Sequence, residues 1–105
     1  MHGNVPYYLV ELSNMKARAH IFVSGRVQGV NYRWFASETA DALNLTGWAR
    51  NLPDSRVEAV FEGERENIEK AIVRCKQGPP ASRVTDMDVT WENHIEGFSD
   101  FEIRH

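Results

Sequence analysis

The sequence predicts an α+β fold: an antiparallel sheet with two helices packed on one of its faces. Three observations carry this. Apolar residues alternate with polar ones around Ala19, Ile21 and Val23, and Val57, Ala59 and Phe61 recur at the same spacing, the period of a strand with one face buried. Ile68, Ala71, Ile72 and Cys75 recur at helical spacing. The segments follow the order β-α-β-β-α-β plus a short C-terminal strand, for which one sheet covered on a single face is the economical packing. That arrangement is the ferredoxin-like sandwich.

The first strand is expected from Ala17 to Ser24, with Arg18, His20 and Ser24 opposite the apolar face and Phe22 breaking the alternation. A loop, Gly25 to Val30, leads to a helix from Asn31 to Leu43. Asn31 is a suitable N-cap, and Tyr32, Phe35, Ala36, Ala40 and Leu43 share one face. Leu45 to Asn51 reads as a second strand and Leu52-Pro53-Asp54-Ser55 as a turn. A third strand begins at Val57. Glu64 and Glu66 open the second helix, and Gly78-Pro79-Pro80 stops it. The fourth strand places Thr85, Met87, Val89 and Trp91 on one face, and the last carries Phe101 and Ile103.

A chain of 105 residues has room for one core. Residues 1–14 read as a leader, a tag remnant or a disordered extension, and 15–105 as the domain. The net charge of -3 exerts no global pull on nucleic acid or anionic lipid, so any bound anion must be held by local donors. The single cysteine, Cys75, excludes an internal disulfide and suits a reducing, cytoplasmic setting. No apolar run approaches a membrane span. A monomer is expected. His2, His20, His94 and His105 are scattered, and no Walker lysine follows the glycine loop, so neither a metal nor another cofactor is expected.

A strand, a glycine loop and a helix in succession make an anion site when the loop amides turn inward and the helix N-terminus adds unpaired donors. Gly25-Arg26-Val27-Gln28-Gly29-Val30 has that form. Arg33 falls in the first helical turn, where a cation opposes the helix dipole, and its guanidinium matches phosphate oxygens. A solvated arginine beside an ordinary turn satisfies the same pattern, and the loop alone does not choose between them.

The run Ser24-Gly25-Arg26-Val27-Gln28-Gly29-Val30-Asn31-Tyr32-Arg33 resembles the first signature of the acylphosphatase family. Gly47-Trp48-Ala49-Arg50-Asn51 resembles the second, and the similarity extends from Ala17 to His105. The resemblance implies hydrolysis of a small-molecule acyl phosphate to a carboxylate and inorganic phosphate. It assigns Arg33 and the amides of Gly25 to Val30 to the phosphoryl group, and Asn51 to the attacking water. Three positions depart from the usual pattern: Asn31, Tyr32 in place of phenylalanine, and Ser55 in place of a turn glycine. A positive φ at Ser55 strains the hairpin by roughly 1 kcal/mol.

Nothing recognisable in the sequence reads the acyl group, so broad specificity is the expectation. A phosphate- or RNA-binding module without catalysis shares the order of elements. Its third strand, Val57 to Glu62, lacks the basic and paired-aromatic pattern of RNA readers. An acylphosphatase-like unit at the front of a larger maturation protein is a further alternative.

Overall fold

The computed structural model describes residues 15–105; the expectation for residues 1–14 lies outside them. The elements are β1 (Lys16–Arg26), α1 (Tyr32–Ala42), β2 (Thr46–Asn51), β3 (Val57–Glu64), α2 (Arg65–Gln77), β4 (Arg83–Glu92) and β5 (Phe101–Arg104). They form one sheet in the order β4-β1-β3-β2-β5. The fold is the expected ferredoxin-like sandwich with its additional strand.

The first four strands pair antiparallel throughout, whereas β5 lies parallel to β2, with Gly47 opposite Phe101 and Ala49 opposite Ile103. The sheet is therefore mixed where the sequence suggested a purely antiparallel one. The cause is topological. β4 runs against β1 and finishes at the end of the sheet where β1 and β2 begin. The chain crosses that end to the opposite edge, so β5 starts beside the start of β2 and runs with it.

The core lies between the sheet and the helices. Ala19, Ile21, Val23, Ala49, Val57, Ala59 and Phe61 meet Tyr32, Ala36 and Ala40 of α1 and Ile68, Ala71, Ile72 and Cys75 of α2. The four apolar positions of α2 are the ones its periodicity indicates. The first helix ends in a Schellman closure. Asn44, at φ 56°, donates to Asp41 O, and Leu45 donates to Ala40 O. Thr85 does not share the face of Met87, Val89 and Trp91. The register of β1 and β4 slips at Ser24/Gly25, leaving Thr85 as the extra residue of a bulge and Val84 against the core.

The other face of the sheet is sealed by its own side chains. Arg18 bonds Glu62 at 2.7 Å and Glu92 at 2.6 Å, and His20 lies between Glu58 at 2.6 Å and Glu92 at 3.3 Å. Glu58 also takes Arg50 at 2.6 Å. Trp48 lies beneath the guanidinium groups of Arg50 and Arg104, and Phe22 beneath that of Arg56. The Glu62 carboxylate further accepts the amides of Glu96 and Gly97, at 2.8 and 3.0 Å, and so pins the loop that crosses the sheet.

Burial pushes the Glu62 carboxyl up, but the Glu96 amide, Arg18 and the Gly97 amide outweigh it and hold the group below its usual range. Glu58 is likewise lowered by His20 and Arg50 against burial, and Glu92 chiefly by Arg18. Depressed carboxylates stabilise the fold above their unfolded value of about 4.3, and that stability is lost as pH falls through the lower folded values. Urea titrations are expected to show a stability plateau near neutrality and a steep fall below about pH 4.3. Glu62→Ala is expected to cost about 3 kcal/mol at pH 7, because Arg18 loses a buried partner, and to shift the urea midpoint without changing the slope.

Ser55 adopts φ 80° in the β2–β3 turn, where Ser55 N–H donates to Leu52 O at 3.2 Å. Ser55→Gly removes a Cβ from a left-handed residue. A gain of about 1 kcal/mol is expected, read as a rise of roughly 4–8 °C in Tm.

Candidate active site

The site forms where β1, β2 and β5 all end. The first two residues of the expected loop belong to the strand, since Gly25 pairs with Val84 and Arg26 with Arg83. Gly25 is required there. At φ 119°, a Cβ would lie 2.1 Å from Arg83 O, against the β4 bulge. The loop proper starts at Val27, which is buried and anchors it to the core. Gly29 at φ 74° and Asn31 at φ 65° flank Val30, whose φ is not positive. That alternation of backbone hand curls successive amides into a concave nest.

Asn31 stands at the N-cap position of α1, as the sequence suggests, but in the left-handed region and without a side-chain cap bond. Asparagine tolerates that conformation better than most residues. The first backbone bond of the helix runs from Phe35 N–H to Asn31 O at 3.0 Å. The amides of Tyr32, Arg33 and Trp34 precede it and have no carbonyl within the helix to take them. With no acidic side chain in the first turn, the helix end keeps its partial positive charge of about half a unit.

Two contacts bring the separate parts together. The Gln28 side-chain amide donates to Leu52 O and Arg56 O, both at 2.8 Å, clamping the loop to the turn that follows Asn51. Arg33 Nη1 donates to Arg104 O at 2.9 Å and lies 3.4 Å from His105 Nδ1, joining α1 to the end of β5. Among the described residues no carboxylate pairs with Arg33, whereas Arg18, Arg50, Arg56 and Arg104 each have one.

The resulting pocket, of about 420 Å³, is lined by Val27, Gly29, Asn31, Tyr32, Arg33, Trp34, Asn51, Ile103 and His105. The structure thus gathers Val27, Gly29, Arg33 and Asn51 from the residues singled out in the sequence. Gly25, Arg26, Gln28 and Val30 do not line it, and the Gln28 side chain braces it from behind. Ile103 and His105 had no sequence signal, because they arrive by the parallel addition of β5. Tyr32 takes part as a wall; its hydroxyl donates to Cys75 O at 2.6 Å, and burial pushes the phenol well above its usual range. Burial pushes the Cys75 thiol up to about 12, so it stays protonated at neutral pH and is no nucleophile.

Comparison with known proteins places the chain in a family. The acylphosphatase family model matches residues 19–103. The chain belongs to the acylphosphatase family. An acylphosphatase from Nostoc sp. (strain PCC 7120 / SAG 25.82 / UTEX 2576) is 54% identical over 87 residues, covering 83% of this chain and 85% of that one. The crystal structure of acylphosphatase from Bacillus subtilis superposes with a TM-score of 0.83 at 40% identity, over 87% of this chain and all of the other. The unit also occurs inside a longer protein: T. kodakarensis HypF matches with a TM-score of 0.74 at 35% identity, over 86% of this chain but 12% of its own. Family membership makes the chain an enzyme of acyl phosphate hydrolysis. No helix among the described residues is long and apolar enough to cross a membrane.

Gln28→Ala removes two hydrogen bonds, although Leu52 O keeps the Ser55 amide and Arg56 O the Leu52 amide, and it frees the loop from the turn bearing Asn51. A loss of about 1–3 kcal/mol in stability is expected by urea titration, together with a fall in acyl phosphate turnover larger than that of Arg26→Ala.

Proposed function

We propose that the chain hydrolyses the carboxyl–phosphate bond of acyl phosphates, with the phosphoryl group held by the 25–30 loop and Arg33 and the water positioned by Asn51. The observation that carries this is the meeting, in one pocket, of the Gly29–Asn31 nest, the open N-terminus of α1, an arginine without a carboxylate partner, and Asn51.

Water attacks phosphorus as the bond to the acyl oxygen breaks. The carboxylate departs with the bonding electron pair, and the protons of water end on the phosphate product and in solvent. A carboxylate is a stable leaving anion at neutral pH, so no strong general acid is needed. Transfer of this kind proceeds through a loose transition state, in which positioning and charge stabilisation do most of the work. The amides and Arg33 supply the stabilisation. The Asn51 carboxamide both donates and accepts, but its basicity is negligible, so it orients water and does not deprotonate it. No step calls for a metal.

The binding-module alternative has less support. Its aromatic platform would be the open sheet face, where Phe22 and Trp48 are already covered by arginines and the strand between them carries Glu58 and Glu62.

Removing a preorganised donor typically costs 10²–10³ in kcat, and an arginine on the transferring group is worth about 10³–10⁵. Arg33→Ala and Asn51→Ala are therefore each expected to lose at least about 10² in turnover of an aryl acyl phosphate while melting within a few degrees of the wild type. Wild-type turnover is expected to be unchanged by EDTA. Loss of activity to the chelator, or full activity in Asn51→Ala, overturns the scheme.

A further inference from the structure

The pocket is larger than the phosphoryl group requires. Its volume of about 420 Å³ falls within the range of whole small-molecule sites, roughly 300–1,000 Å³. Beside Arg33, the first turn of α1 carries Trp34 into the same pocket. The buried face of that helix is Tyr32, Ala36, Thr39 and Ala40, and Trp34 stands off it, 57% exposed and outside the hydrophobic core. Among the described residues no aromatic ring or cation stacks on its indole, in contrast to Trp48 and Trp91. In-line attack adds direction. With water on the Asn51 side of phosphorus, the acyl group leaves on the side away from Asn51. Trp34 comes from the first turn of α1, and Asn51 from the end of β2.

We propose that Trp34 is a specificity residue whose indole contacts the acyl group, so that the enzyme favours acyl phosphates with flat aromatic or extended apolar acyl chains over acetyl phosphate. This rests on the hydrolytic reading above. It also replaces the broad specificity that the sequence suggests, because the indole offers apolar area that an acetyl group is too small to cover.

The test is kcat and KM for benzoyl phosphate and acetyl phosphate with the wild type, Trp34→Ala and Trp34→Phe, each checked by its melting temperature. The wild type is expected to prefer benzoyl phosphate. Trp34→Ala is expected to lower kcat/KM for benzoyl phosphate about tenfold, mostly through KM, and to leave acetyl phosphate within about twofold. Trp34→Phe is expected to restore most of the preference. An unchanged ratio in Trp34→Ala, or equal losses on both substrates, overturns the assignment while leaving the hydrolytic reading intact. A folded wild type that turns over neither substrate overturns both.

Discussion

The Glu62 carboxylate is the contact on which the far end of the molecule depends. It sits on the sheet face opposite the helices, with Arg18 on one side and the amides of Glu96 and Gly97 on the other. Those two amides belong to the segment that carries the chain from β4 at one edge of the sheet to β5 at the other. Holding the segment there starts β5 beside Gly47, and the parallel register then carries Arg104 to a place opposite Arg50. The Arg104 carbonyl receives the Arg33 guanidinium. A carboxylate at one end of the sheet thus decides where the pocket's arginine rests at the other.

Ion pairs of this kind contribute little net stability when desolvation is counted, and well-packed apolar residues often do as well. Their value here lies in register. Moving β1 by one residue against β3 or β4 would carry Arg18 and His20 into the core and strand Glu58, Glu62 and Glu92 without partners. The same network closes the sheet face over Trp48 and Val60, both buried although no helix covers them. A fold whose relatives in architecture use this face for binding is, among the described residues of this chain, sealed on that side, with its pocket at the strand ends.

What the sequence made legible was local. The alternation of Ala19, Ile21 and Val23 and the α2 positions Ile68, Ala71, Ile72 and Cys75 emerge buried as read, because each pattern repeats over several residues with one face in the core. The positive φ at Ser55 was legible as a conditional consequence of a turn. Thr85 was not, since a bulge depends on how β1 and β4 pair across some sixty residues and breaks the period without leaving a mark in it. The direction of β5 was hidden for the same reason, and with it the contribution of Ile103 and His105 to the pocket. Arg33 and Asn51 were found through their motifs, whereas the role of Gln28 as a brace needed the positions of Leu52 and Arg56.

The contacts around the pocket close into a ring. From Gln28 the path runs to the turn at Leu52, along β2, across to Arg104 of β5, back through Arg33 to α1, and along the backbone to Gln28 again. A chain of contacts frays from whichever end is weakest, but a ring has no end. Breaking any one link leaves its neighbours joined the long way round, so the pocket opens fully only when two links fail together. That event is rarer than the failure of either link alone. A surface site assembled from four stretches of chain can in this way hold its shape better than any one of its links would hold it alone.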